Sequence, residues 1–123
     1  MGKRVLSTGH NSVALRSRNL LIQQAGYQVT TTKETGLLLE LAHKDDFDAV
    51  VFCNSIPAHL RESVARELKR LKPTLPLIMV YSDDDERKRL QGLADELVIA
   101  TGTSQALIEA IARVTNRPIR RSG

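Results

Sequence analysis

Few residues in this chain are equipped for chemistry. Cys53 is the single cysteine, and His10, His43 and His59 are the histidines. A thiol beside an imidazole can serve as a nucleophile or a redox sensor, so Cys53 and His10 form the sharpest candidate pair. The simpler reading makes Cys53 a small core residue at the end of an apolar run and His10 an ordinary loop residue. No third group that would orient a triad is readable beside them. The three histidines share no metal-ligand spacing, so no metal is expected. A lone cysteine also excludes an internal disulfide and a multi-cysteine zinc site. Asp83, Asp84, Asp85 and Glu86 precede Arg87, Lys88 and Arg89. That order reads as a helix whose acids sit at its positive end rather than as a cation site. Thr101, Gly102, Thr103 and Ser104 offer backbone N–H groups that an anion can use, although a loop and an N-cap explain them as well.

The elements that must position these groups alternate along the chain. Residues 5–8 read as a strand, and Gly9 to Ser12 as a turn, with Asn11 or Ser12 capping a helix that runs to about Ala25. Ala14, Leu21 and Ala25, with Leu15 and Ile22 beside them, recur at helical spacing, and Gly26 stops the helix. Residues 27–31 alternate and are rich in β-formers, so they predict a second strand. Thr32 is expected to cap a helix carrying Leu37, Leu38, Leu41 and Ala42. Residues 49–53 form a continuous apolar run, the pattern of a strand covered on both faces. A helix follows over 58–71 with Leu60, Val64, Leu68 and Leu71 inward, and its basic residues, Arg61 among them, are assigned to a solvated face. Residues 75–81 predict a fourth strand, 82–92 a mostly polar helix and 96–99 a fifth strand. Thr103 or Ser104 caps a last helix carrying Leu107, Ile108, Ile111 and Val114, ended by Pro118. Five strand–helix units in series imply a parallel sheet with right-handed crossovers and helices on both faces. Ligands of such sheets meet the C-terminal ends of the strands.

Composition narrows the function classes. The chain has 123 residues, 41% hydrophobic and 26% charged, which suits one folded domain and not two. No apolar run reaches the roughly 20 residues of a membrane helix, and no signal-like segment follows Lys3 and Arg4. The expectation is therefore a cytoplasmic protein without membrane contact. The net charge is +4, and the excess lies at the C-terminal end. Without Arg113, Arg117, Arg120 and Arg121, basic residues equal the 14 acids. Residues 1–116 are read as the domain and 117–123 as a basic tail. Nucleic acid is not expected as a partner, because no aromatic stacking platform accompanies those arginines.

At the level of motifs, the sequence resembles the receiver (CheY-like) domains of two-component response regulators, from Arg4 to about Val114. Ala25-Gly26-Tyr27 looks like the family's turn into its second strand, and Asp48-Ala49-Val50-Val51 like the entry to its third. Pro57 falls where the family's loop proline does. Pro76-Leu77-Ile78-Met79-Val80 resembles the fourth strand, and Gly92 with Ala94-Asp95 resembles the approach to the fifth. The resemblance implies a single doubly wound α/β domain of the flavodoxin-like class, with strand order 2-1-3-4-5. The first and third strands are then neighbours, which puts Gly9 and His10 beside Cys53.

The family's site residues do not carry over. Its two metal-holding acids fall on Gly9 and His10, its phospho-acceptor aspartate on Cys53, its Thr/Ser on Tyr81 and its lysine on Ala100. Mg²⁺ needs hard oxygen ligands, and without it the charge of a transferring phosphoryl group is not neutralised. Cys53 cannot form an acyl phosphate, and Ala100 supplies no ammonium. The chain therefore resembles a degenerate, or pseudo-, receiver: not an enzyme, without a cofactor, and acting as a stand-alone interaction module in phosphorelay signalling. Its partner is expected to be a signalling protein in trans, a histidine kinase or an output protein, with a homodimer as a further option. The family's partner face, built from the fourth helix, fifth strand and fifth helix, falls here on Arg87, Lys88, Gln91, Val98, Gln105 and Glu109. The alternative function is a small-molecule or thiol/redox sensor using the vacated pocket at His10, Cys53 and Tyr81.

Overall fold

The computed structural model describes residues 3–115. Arg117, Arg120 and Arg121, and with them the assignment of residues 117–123 to a basic tail, lie outside the described residues. Strands and helices alternate: β1 (Arg4–Thr8), α1 (Ser12–Gln24), β2 (Gln28–Thr32), α2 (Thr35–Lys44), β3 (Ala49–Phe52), α3 (Ala58–Leu71), β4 (Leu77–Tyr81), α4 (Asp84–Leu90), β5 (Glu96–Ile99) and α5 (Ser104–Thr115). The strands pair in parallel in the order β2-β1-β3-β4-β5, as expected.

Successive strand residues face opposite sides of a sheet, so the wholly apolar β3 and β4 need cover on both. Val50, Phe52, Leu77 and Met79 pack with Leu38, Leu68 and Leu90 on the side of α2, α3 and α4. Val51 and Ile78 pack with Ile22, Leu107 and Ile111 on the side of α1 and α5. Each fully buried Leu or Ile contributes roughly 1.5–3 kcal/mol. Two carboxylates anchor strand starts between these layers. Asp48 accepts from the Arg4 N–H at 2.7 Å, and Asp95 accepts from the Leu77 N–H at 2.8 Å.

Local signals place most boundaries. The Asn11 side chain accepts the Ala14 N–H and caps α1. At the other end Gly26 takes φ 101°. Its N–H donates to Gln23 and the Tyr27 N–H donates to Ile22, the paired bonds that close a helix through a left-handed glycine. Asp83 caps α4 through the Glu86 N–H, and Thr103 caps α5 through the Ala106 N–H.

Several expectations are corrected. Thr32 ends β2 and does not cap α2; its hydroxyl is spent on the backbone of Glu34, the actual N-cap. The helix expected over 82–92 contracts to α4, because Gly92 at φ 95° turns the chain. On α1 the buried residues are Leu15 and Ile22, while Ala25 is exposed. On α3, Leu71 is exposed and Arg61 is wholly buried. The inward stripe of α3 runs through Arg61, Val64, Ala65 and Leu68; Val64 and Leu68 are buried as expected and Leu60 is partly buried on the same core.

Arg61 survives burial because it is partnered. Its Nη1 donates to the Val80 carbonyl at 2.5 Å. Its Nη2 lies 2.9 Å from Glu86 Oε2, at ion-pair distance though off the hydrogen-bond line. Glu86 also accepts the Ser82 N–H at 2.8 Å through Oε1. One carboxylate thus ties α3 to the entry of α4, a helix whose own buried residue is Leu90. Removing one member of a buried ion pair strands the other. Arg61→Ala is expected to lower the unfolding free energy by ~3–5 kcal/mol in urea titrations, and Glu86→Gln to lower it as well, by leaving the guanidinium without its counter-charge.

Candidate functional site

The C-terminal ends of β1, β3 and β4 carry the positions singled out in the sequence. β3 closes on β1 as the Cys53 N–H donates to the Thr8 carbonyl at 2.8 Å. This puts Gly9 directly against Cys53. A Cβ on Gly9 would lie 2.6 Å from Cys53 Cβ and 3.2 Å from both Cys53 Sγ and Ser55 Oγ. Real side chains do not approach so closely, so the first position of the expected acid pair has no room for a side chain. His10 follows with its imidazole exposed. The loop is held by its backbone: the His10 and Asn11 N–H groups donate to Ser55 Oγ at 2.9 and 3.1 Å.

The partner of Cys53 comes from elsewhere. Cys53 is 1% exposed, and its sulfur accepts a hydrogen bond from Arg18 Nη1 of α1. Among the described residues no hydrogen bond joins His10 to Cys53, and the buried sulfur and exposed imidazole agree with the simpler of the two readings. The Arg18–Cys53 contact arises from the way α1 lies across the sheet. Leu15, Arg18 and Ile22 share one helical face, and the two apolar members are buried, so the guanidinium between them is directed at the sheet. Arg18 Nη2 reaches Asn54 Oδ1 at 3.4 Å, and Asn54 Nδ2 donates to Ser82 Oγ at 2.9 Å. Ser82 is the residue whose N–H binds Glu86. A polar chain thus crosses the strand ends from α1 to α4 and on to Arg61.

Ala100 and Tyr81 are joined through the main chain, the Ala100 N–H donating to the Tyr81 carbonyl at 2.7 Å. A cavity of about 130 Å³ opens between α1, β5 and α5, lined by Arg18, Val80, Ala100, Thr103 and Leu107 among others. His10, Cys53 and Tyr81 do not line it. The pocket expected at those three residues is thus taken up at Cys53 by the close approach of Gly9 and by Arg18. Arg18, Asn54, Ser55 and Arg61 were not singled out as site residues. The signal for both arginines was present, since each is a lone cation at the spacing of the buried apolar residues of its helix.

Mg²⁺, which the receiver resemblance implies, does not fit these donors. Gly9 offers none, His10 offers nitrogen, and the Cys53 sulfur carries a guanidinium that repels a cation. Among the described residues no cluster of three or more His, Cys, Asp or Glu could hold a metal.

Of the expected partner face, Lys88 on α4 and Gln91, its C-cap, are exposed, as are Gln105 and Glu109 on α5. Arg87 is bound to Asp84 through Nε at 3.0 Å and Nη2 at 2.8 Å. That hydrogen bond first, and the Arg87 charge second, hold the Asp84 carboxyl below its ordinary value. Val98 is a correction: it is buried in the layer with α5, because strand alternation turns it inward. The exposed apolar side chain of β5 is Ile99.

Comparison with known proteins agrees with this architecture. A response regulator receiver domain protein (CheY-like) from Methanospirillum hungatei JF-1 superposes with a TM-score of 0.82 at 20% identity, over 94% of this chain and 95% of that one. The fold is that of CheY-like receiver domains. The receiver domain of a sensor histidine kinase from Pseudomonas aeruginosa PAO1, with a magnesium ion coordinated in its active-site cleft, gives 0.83 at 18% identity over 95% and 100% of the two chains. A streptococcal redox sensor, of a family evolved from two-component response regulators, gives 0.81 at 19% identity over 94% of this chain and 52% of that one. No family model and no curated protein matches the sequence.

Gly9 has no room for a Cβ opposite Cys53. Gly9→Ala is expected to lower stability by ~1–3 kcal/mol, as overpacking does. Cys53→Gly, which removes the opposing Cβ and Sγ, should offset part of that loss in a double-mutant cycle followed by thermal melting.

Proposed function

We propose that this chain is a receiver-fold signalling module that acts through protein interaction and without aspartyl phosphorylation. The observation that carries the reading is the arrangement at Cys53. A guanidinium occupies the sulfur, and the Cys53 and Ser55 side chains leave no space for a Cβ at Gly9. Phosphoryl transfer to a receiver needs a carboxylate nucleophile and a cation-binding acid pair, because the transferring group must be neutralised as it moves. Cys53, Gly9 and His10 supply neither. The module is proposed to have no catalytic role and to signal to a two-component protein, a histidine kinase or an output protein. Among the described residues no helix is long and apolar enough to cross a membrane.

Acetyl phosphate with Mg²⁺ is expected to leave the intact mass unchanged. A stoichiometric phosphoryl adduct would overturn the proposal. Cys53→Asp alone should stay unmodified too, since the new carboxylate would pair with Arg18 and Gly9 would still provide no ligand.

A second reading, a thiol or redox sensor, draws on the Arg18–Cys53 contact and on the fold shared with the streptococcal sensor. It is weakened by the burial of the sulfur and by the absence of a bond from His10. A sulfur that is 1% exposed is expected to react with a thiol reagent at least ~100-fold more slowly in the native protein than in urea, because reaction waits for local opening. Native labelling at the urea rate would favour the sensor.

A further inference from the structure

α1 carries a polar stripe that the fold does not consume. Ser12, Arg16, Asn19 and Gln23 recur at spacings of four, three and four, so they share one helical face. Beside that face, between α1 and the edge strand β2, lies a groove of about 470 Å³ with Thr31 and Lys33 on its far side. Its apolar lining comes from Leu15, 3% exposed, and Leu20, 54% exposed. The volume falls in the range of small-molecule sites, roughly 300–1,000 Å³. Two hydrogen bonds cross the groove, from Lys33 Nζ to Ser12 Oγ and from Asn19 Nδ2 to Thr31 Oγ1, each at 2.7 Å. They tie its two walls together.

Two features of this groove call for groups that the chain does not supply. The first is charge. Cations of α3 are matched by neighbouring acids, as in Arg61–Glu86 and Lys69–Asp95. Among the described residues no ion pair includes Arg16 or Lys33, and no acid precedes Glu34 in the sequence. The second is a hydrogen bond. Asn19 Oδ1, the other end of the amide that binds Thr31, is shut off from solvent and accepts no hydrogen bond. Buried acceptors are nearly always partnered, so this oxygen points to a donor from outside the chain. A guanidinium fork and an ammonium together match a phosphate dianion better than a single carboxylate. Leu15 and Leu20 match a planar or apolar body.

We propose that the α1–β2 groove binds a small phosphate monoester, of the class of the nucleoside monophosphates. The phosphate sits between Arg16 and Lys33, a hydroxyl or amine of the ligand donates to Asn19 Oδ1, and the planar body rests on Leu15 and Leu20. The groove shares no lining residue with the cavity beside Ala100, and Cys53 lines neither. The proposal goes beyond the interaction reading and does not depend on it.

The full isotope-labelled chain is titrated with AMP, GMP, CMP and UMP, with the matching nucleosides, with phenyl phosphate and with inorganic phosphate, and is followed by NMR. At least one nucleotide is expected to shift the amides of α1, Thr31 and Lys33. Its nucleoside and inorganic phosphate should each bind at least ~10-fold more weakly, because each keeps only part of the contacts. Phenyl phosphate, which has no donor for Asn19, should also bind more weakly than the nucleotide. Arg16→Gln and Lys33→Gln replace exposed cations, and each should weaken the nucleotide at least ~10-fold, with the spectrum reporting an intact fold. Equal affinity for the nucleotide and inorganic phosphate would mean an adventitious ion only and overturn the site. Equal affinity for phenyl phosphate would overturn the role of Asn19. The site is likewise overturned by shifts centred on Ala100 and Thr103 instead of α1, by binding indifferent to both glutamine variants, or by no shift with any of the four nucleotides at millimolar concentration.

Discussion

Two-sided burial of β3 is the constraint on which the rest of this structure depends. Ala49, Val50, Val51 and Phe52 are each buried, and alternate residues face opposite helix layers. A strand of this kind cannot lie at an edge or face water, so it takes the middle of the sheet with helices above and below. The parallel order follows from the crossovers that bring those helices back. Because all strands then run one way, their C-terminal ends gather at one rim, and every polar residue that follows a strand is delivered there. The rim is thus a product of core burial before it is a product of any residue's chemistry.

What this rim holds is a chain of amide, hydroxyl and guanidinium groups closed by the carboxylate of Glu86. Arg18 meets Cys53 and Asn54, Asn54 meets Ser82, and Glu86 links Ser82 to Arg61. Linked hydrogen bonds restrain each group they join. The network therefore orders the loops between β3, β4 and α4 with the chain's own donors and acceptors, where a phosphorylatable receiver would need carboxylates and a bound cation.

The surface is uneven in the same sense. α3 and α4 cover their cations with neighbouring acids, as in Arg61–Glu86 and Arg89–Glu62. Those pairs hold a short helix whose buried anchor is Leu90, so their charges are used in the fold. α1 is held by Leu15 and Ile22 on its inner face, and its outer cations are not needed for that. The division between charges that build and charges left over follows from how much apolar surface each helix buries.

The sequence by itself determined much of what depends on residues close in the chain. Asn11 caps α1 and Gly26 ends it, because the side chain and the glycine act on backbone groups within one turn. The apolar run at 49–53 fixed a central strand, and from it the layers. That a glycine, a histidine, a cysteine and an alanine stand at positions 9, 10, 53 and 100 is likewise a matter of sequence alone. Thr32 was misread because a hydroxyl near a helix start can bind either side of it. Tertiary structure alone decided which distant groups met. The cysteine received Arg18 and not His10, Arg61 went inside and Leu71 outside, and Val98 turned to the core. Each of those outcomes depends on the angle at which a helix lies across the sheet. A rotation of one residue about the helix axis exchanges the buried and exposed members of its stripe. That angle is set by the sum of contacts across both layers, which no local stretch of sequence contains.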